Sequence, residues 1–324
     1  MQNLDVKDRK ILYQLDLDSR QTLTQIGKKV GSKKDVVSYR IKRLIDKGII
    51  KNFYTVIDSS KFGYTSFRIY LIFQRTTPDT EKKIINYFID NKYTWLVCSL
   101  KGTYDHDVIV WVKETDEFYN FWRITLQKYR EYFQEQVFSI YTQSKTYRNS
   151  FILKEGYDKI DRTKSEIVGG GKKVEIDDLD FSILKILAPN ARISTVEIAK
   201  KLNSTAITIN KKIQRLIKLD VIQGFRVNID FSKLGYDFYK AELSLLDYKK
   251  REDIINYIIL NPHLTMIDES AGIADLELNF IVENVNQFYQ IMEDLIIKFP
   301  NVIQNYKYFY VSKIHKLQYI PKIQ

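Results

Sequence analysis

The sequence holds one cysteine, Cys98, and three histidines, and no apolar run approaches the roughly 20 residues that a membrane-spanning helix needs. A lone cysteine excludes a disulfide framework and a thiolate metal cluster. His106, His263 and His315 have no helical or strand spacing that would make a metal set, or a triad with Cys98. Gly169, Gly170 and Gly171 have no strand leading in and no Lys-Ser/Thr pair behind them, so they are not a phosphate-cradling loop. The first ten residues are charged from Asp5 and lack a signal-peptide core. Together these absences predict a cytoplasmic protein with no metal, cofactor, catalytic residue or membrane partner.

What the chain does have is apolar mass and segregated charge. With 44% hydrophobic and 14% aromatic residues over 324 positions, it can bury the cores of two or more domains. The net charge is +11. Residues 1–64 carry +7 (14 basic against 7 acidic) and residues 176–236 carry +4 (10 against 6), whereas the remainder sums to zero. Two separated basic modules point to a polyanionic partner.

Within the first module, residues 33–47 place Val36, Val37, Ile41, Leu44 and Ile45 on one helical face, ringed by Lys33, Lys34, Arg40, Lys42, Arg43 and Lys47. Taken alone, such a helix is better explained by a solvated charged face over an ordinary core. What overturns that reading is that the arrangement occurs twice in the chain. A helix over residues 4–15 and a short one after Thr22 or Thr24 precede it, Gly31-Ser32 makes the turn, and Gly48 leads into a β-like run at 49–57. That is the order of a winged helix-turn-helix. Residues 67–73, 95–100, 107–112 and 137–146 then read as strands, and 80–89 and 117–132 as amphipathic helices. The order βαββαβ is the ferredoxin-like plan. Residues 155–175 are charged and poor in apolar residues, and read as a flexible linker.

Beyond that segment the chain repeats itself. Shifted by 172, residues 4–64 fall on 176–236 without a gap, with roughly twenty of about sixty positions identical. Asp5, Asp8, Arg20 and Arg43-Leu44-Ile45 match Asp177, Asp180, Arg192 and Arg215-Leu216-Ile217. A shift of 170 then lays Gly102, Asp105 and Phe118-Tyr119 on Gly272, Asp275 and Phe288-Tyr289. The chain is one two-domain unit used twice. The predicted class is α+β, with two winged helix-turn-helix domains (1–62 and 176–234) and two ferredoxin-like domains (63–154 and 235–324) around the linker at 155–175.

Each unit resembles the Lrp/AsnC (feast/famine) transcriptional regulators. The family's opening pattern stands as Leu4-Asp5, Asp8, Ile11-Leu12 and again as Ile176-Asp177, Asp180, Ile183-Leu184. Its recognition-helix pattern matches Val37, Arg40, Arg43-Leu44, and then Ile209, Lys212, Arg215-Leu216. The Gly-x-Ile start of the wing is intact at Gly48 but is Asp220-Val221-Ile222 in the second copy. The usual Ser/Thr cap of the recognition helix falls on Thr205 but on Lys33 in the first copy, where Ser32 is the substitute.

The resemblance implies binding to double-stranded DNA through the major groove, and a ligand-binding (RAM) domain that mediates oligomers and senses a small effector such as an amino acid. The DNA-facing candidates are Lys33, Lys34, Ser38, Tyr39, Arg40, Lys42 and Arg43, and in the second copy Thr205, Thr208, Lys211, Lys212 and Arg215. Arg43 and Arg215 are equally suited to pairing with acids of their own domain. The less basic second copy is expected to contribute less affinity. Gly102, Thr103, Tyr104 and Asp105, with Gly272 and Asp275, are the effector-loop candidates, against the plainer reading of β-turns. Asp107 and Glu277 on the following strands would meet a ligand ammonium or face solvent. The chain is expected at least to dimerise, with its two RAM domains free to pair intramolecularly. Two other readings remain, a siroheme-decarboxylase-like enzyme on the same architecture and an architectural DNA-coating protein.

Overall fold

The computed structural model describes residues 4–156 and 161–322; residues 157–160, near the start of the expected linker, lie outside the described residues. The first three helices are α1 (Val6–Leu17), α2 (Leu23–Val30) and α3 (Lys34–Asp46). Asp5 caps α1 by accepting from the Asp8 amide, and Thr22 with Gln25 forms a reciprocal capping box on α2. The α3 start differs from expectation. Lys33 holds the cap position without a side-chain hydrogen bond, and the Ser32 hydroxyl is buried without a partner. In the second copy α6 (Asp178–Leu187), α7 (Thr195–Lys201) and α8 (Ala206–Lys218) follow the same plan, and Thr205 caps α8 as expected. Ile11, Leu12, Leu15, Ile26, Val37 and Leu44 build the first three-helix core, and Ile183, Leu184, Ile198, Ile209 and Leu216 the second.

The β segments after α3 and α8 do not fold back as separate wings. Instead β1 (Ile50–Ile57) and β7 (Ile222–Ile229) pair with each other, antiparallel, with Tyr54 opposite Arg226. A single strand leaves both edges unpaired, and the second copy supplies the missing partner. Asp220, which replaces the wing glycine, takes the same left-handed backbone as Gly48 (φ 56° against 65°). Loss of that glycine therefore leaves the turn intact, because aspartate tolerates this region better than most residues.

The ferredoxin-like halves are β2 (Thr65–Phe73), α4 (Pro78–Asp90), β3 (Thr94–Gly102), β4 (His106–Val112), α5 (Thr115–Tyr129), β5 (Phe133–Thr146), and, beyond the short β6 (Glu166–Val168), β8 (Asp237–Leu245), α9 (Arg251–Ile258), β9 (Leu264–Ala271), β10 (Leu276–Val282), α10 (Val285–Lys298), β11 (Ile303–Leu317). The last strands, 14 and 15 residues long, are long enough to serve both halves. β5 pairs first with β2 and then, from Ile140 to Thr146, with β9. β11 pairs with β8 and then, from Phe309, with β3. The eight strands close into one antiparallel ring. Its outer face is apolar and covered by α4 and α5 on one half and α9 and α10 on the other, with Phe121 of α5 in one core with Val108 and Val110, and Phe288 of α10 in another with Leu278 and Phe280.

The interior of the ring is charged. Arg68 reaches Glu277 at 2.6 Å, Asp107 at 3.3 Å and Asp268 at 3.7 Å, and Lys240 pairs with Asp268 at 3.1 Å and with Glu277. Asp107 and Glu277 thus do not face solvent; they are buried against Arg68 and Lys240, and the Arg68–Glu277 pair crosses between the halves. Glu242 brings the carboxylates to four against two cations, and one oxygen each of Asp107 and Glu242 lacks a hydrogen bond. Burial pushes the carboxyls of Asp107 and Glu242 above their ordinary values. Burial acts the same way on Asp268, but Lys240 and Arg68 outweigh it and hold that group low.

Residues 161–175 are not a free tether. The buried Arg162 guanidinium donates to the carbonyls of Arg148 (2.6 Å), Ile259 (2.8 Å) and Leu264 (2.5 Å). Glu166 lies on β6, which extends the sheet beside β5, and meets Arg148 and Arg226. Gly169 (φ 99°) is needed for close approach, since a Cβ there would lie 2.5 Å from the Thr142 carbonyl. No helix among the described residues is long and apolar enough to cross a membrane.

The interior charges set a testable asymmetry. Arg68→Ala is expected to cost about 3–5 kcal/mol of unfolding free energy, because it strands buried carboxylates. Asp107→Asn removes a group whose raised value makes its contribution full at low pH and lost as pH rises. The parent should lose stability as pH rises from the ordinary carboxylate value of 3.8 through the folded-state value, and the variant should show a flatter profile in urea titrations at pH 4 and pH 7.

Candidate functional site

Each recognition helix has three kinds of position. Val37, Ile41 and Leu44 in α3, and Ile209, Ile213 and Leu216 in α8, face the core. A second set is held by acids from the first helix of the same headpiece. Arg40 Nη1 donates to Asp5 Oδ2 at 2.7 Å and Asp8 Oδ1 at 2.8 Å, and Arg43 Nη2 to Asp8 Oδ2 at 2.5 Å. Lys212 pairs with Asp177 and Asp180, while Arg215 donates to Asp180 Oδ2 at 2.6 Å and the Glu175 carbonyl at 2.9 Å. Asp8 and Asp180 are fully buried, so these pairs brace the helix against the headpiece. Of the sequence candidates, Arg40, Arg43, Lys212 and Arg215 are therefore already committed to internal partners. The third set is exposed, comprising Lys33, Lys34, Ser38, Tyr39 and Lys42 on the first copy and Thr205 and Lys211 on the second. Thr208 is half-buried and shares its hydroxyl with Thr205 at 2.9 Å.

The two headpieces are clasped reciprocally. Arg20 donates to the carbonyl of Ala191 at 2.7 Å, and Arg192 returns the contact to Gln21 at 3.2 Å and to Ser19. Beneath the β1–β7 ribbon, the buried Arg226 joins Asp16, Glu166 and the Tyr147 carbonyl. The recognition helices are thus carried by one rigid block rather than by independently tethered modules.

At the candidate effector loops the plain turn reading accounts for several residues. Gly102 and Gly272 have φ of 121° and 130°, and Asp105 and Asp275 each accept a backbone amide, of Phe73 and Leu245, at 2.7 Å. Tyr104 faces inward, stacked on Tyr70 at 4.3 Å with its hydroxyl on Glu242, so it offers nothing to an external ligand. Thr103 donates to the Tyr308 carbonyl at 3.1 Å. Beside Gly272 and Asp275, however, an open cleft of about 390 Å³ is lined by Ser244, Arg251, Glu269 and Ser270.

The equivalent place in the first half gathers residues that the sequence scattered. Ser99 Oγ lies 2.7 Å from His315 Nε2 and 3.4 Å from His106 Nδ1, and His106 Nε2 lies 3.1 Å from Glu81. His315 arrives on β11, from the other copy. At the pseudo-equivalent positions stand Lys145, Glu269 and Arg251, paired at 2.9 Å and 3.6 Å. One seam is closed by permanent charges and the other by imidazoles. Lining up the two copies locates both sets, but only the β3–β11 pairing shows that they meet. Among the described residues, no group of three or more His, Cys, Asp or Glu is arranged to hold a metal ion.

Burial lowers both His106 and His315 from the ordinary value of 6.5, against the opposing pull of Glu81. Groups lowered in this way contribute stability above the ordinary imidazole range and lose it as pH falls through the folded-state value. The parent should lose stability between pH 7 and 5, and the double variant His106→Gln, His315→Gln should show a flatter profile in denaturant titrations across that range.

Comparison with known proteins adds names to this geometry. A family model for winged helix-turn-helix DNA binding matches residues 4–51 and 176–223. An uncharacterised HTH-type transcriptional regulator of Pyrococcus furiosus is 39% identical over 103 residues, spanning 32% of this chain and 70% of that protein. The leucine-responsive regulatory protein of Rhizobium meliloti is 25% identical over 136 residues, 41% of this chain and 85% of its own. Among solved structures, the siroheme decarboxylase NirDL aligns over 98% of this chain and 94% of its own with a TM-score of 0.64, at 12% identity. That likeness is one of fold alone. By its sequence the chain belongs to the Lrp/AsnC-type DNA-binding transcriptional regulators, with two copies of the helix-turn-helix and ferredoxin-like unit in one polypeptide.

Proposed function

We propose that the chain binds specific duplex sequences with α3 and α8 in successive major grooves, and that it responds to a small effector at the ring of strands. The observation that carries the reading is the division of labour on each recognition helix. The ion-paired residues hold the helix, which leaves Lys33, Lys34, Ser38, Tyr39 and Lys42, with Thr205, Thr208 and Lys211, as the DNA-facing set. Lysines at such positions serve phosphates and base edges alike. The cleft beside Gly272 supports the effector reading, because Arg251 and Glu269 set opposite charges where an amino acid carries its carboxylate and ammonium. Oligomers of the chain form through the outer helices, where Tyr119 and Ile297 are exposed. The division at residues 62, 154, 175 and 234 into two DNA-binding and two RAM domains goes with this reading, as does the absence of catalysis.

The NirDL likeness makes a tetrapyrrole-processing enzyme the second reading, favoured by the meeting of His106 and His315. A Soret band in the purified protein would support it. Equal affinity for an upstream region and random duplex would instead indicate DNA coating.

DNA affinity should fall steeply with salt, and Lys33→Ala should reduce the log–log slope by about one, for the phosphate no longer neutralised. Arg43→Ala should act differently, loosening the headpiece by leaving one oxygen of the buried Asp8 without its arginine and lowering the melting temperature. A salt slope near zero would refute DNA binding.

A further inference from the structure

The two recognition helices keep the character of what faces the core and the internal acids, and diverge over the outward face of their first turns. Under the 172-residue shift the buried positions 37, 41 and 44 stay aliphatic at 209, 213 and 216, and the ion-paired positions 40 and 43 stay cationic at 212 and 215. The exposed positions from 34 to 42 all differ, whereas Ile45, exposed near the helix end, is kept as Ile217. Lys34, Asp35, Ser38, Tyr39 and Lys42 become Ala206, Ile207, Asn210, Lys211 and Gln214. At 3.6 residues per turn those five positions span an arc of about 140°, and Arg40 and Arg43 fall outside it. Ile207 lies within this arc and is 71% exposed.

The helices also cannot exchange places, because β1 pairs with β7 and the Arg20 and Arg192 contacts clasp the headpieces within one chain. In a dimer of identical subunits, two-fold symmetry forces the same residues onto both half-sites, and the operator is palindromic. Here the frame is pseudo-symmetric and the reading faces are not.

We infer that this chain reads a directional, non-palindromic operator, with a G·C-rich half-site under α3 and an A·T-rich half-site under α8. Lys34 and Lys42 donate to guanine O6 and N7, and Asp35 accepts from the cytosine amino group. Asn210 makes the two-bond contact to adenine, and Ile207 covers a thymine methyl. The inference rests on the DNA-binding reading above and deepens it.

The test is selection of bound duplexes from a randomised library by the full chain, followed by affinities at fixed salt for the selected site and for palindromes of either half. The expected result is a site with two unlike halves, bound at least about ten-fold more tightly than either palindrome. The variant Ala206→Lys, Ile207→Asp, Asn210→Ser, Lys211→Tyr, Gln214→Lys should switch preference to the palindrome of the first half-site. The reciprocal set Lys34→Ala, Asp35→Ile, Ser38→Asn, Tyr39→Lys, Lys42→Gln should switch it to that of the second. All ten changes are at positions outside the core, and two independent variants guard against the loss of one to misfolding. Selection of a palindrome by the parent chain, or equal affinity for all three sites, would overturn the inference while leaving DNA binding intact. Failure to retain any duplex would overturn the DNA-binding reading itself, and this inference with it.

Discussion

Unpaired strand edges are the constraint from which the rest of this structure follows. A four-stranded ferredoxin-like sheet ends in open edges, and the single strand after each recognition helix has two of them. Backbone amides and carbonyls left unpaired and out of water are costly, and left in water they invite aggregation. Both problems are solved by the other copy of the repeat. β1 pairs with β7, and the long strands β5 and β11 leave their own sheets to close the edges at β9 and β3. What two subunits would do in a dimer is done here within one chain, so the association carries no concentration dependence.

Closing the ring also creates its interior. Because the outer face of each sheet takes the helices and the apolar core, the inner faces are left to meet each other. They do so through Arg68 and Lys240 set among four carboxylates. Buried charge is weak as a source of stability but demanding in geometry. Such a network favours one register of one half against the other. The same logic operates at smaller scale in the headpieces, where buried Asp8 and Asp180 fix the recognition helices and decide which cations remain for a partner.

Divergence between the copies follows the packing. Positions that touch the core or an internal acid are retained, as at Leu44 and Leu216 or Arg43 and Arg215. Positions on the seams and on the outer helix faces have drifted apart, giving one seam imidazoles and the other permanent charges. A fused pair is free to do this, since a change in one copy is no longer imposed on the other by symmetry.

Much of this was legible in the sequence, because it is written in local periodicities. The apolar stripe of residues 33–47, the βαββαβ order and the 172-residue repeat each depend on residues a few positions apart or on direct comparison of the two copies. Those features determined the class, the tandem plan and the identity of the recognition helices. Which strand pairs with which, whether Arg40 and Arg43 face DNA or Asp5 and Asp8, and that Asp107 is enclosed rather than exposed were decided only by the tertiary structure. These outcomes turn on closures between residues tens to hundreds of positions apart. A side chain's charge is fixed by its chemistry, but the partner that answers it is fixed by where the chain brings it.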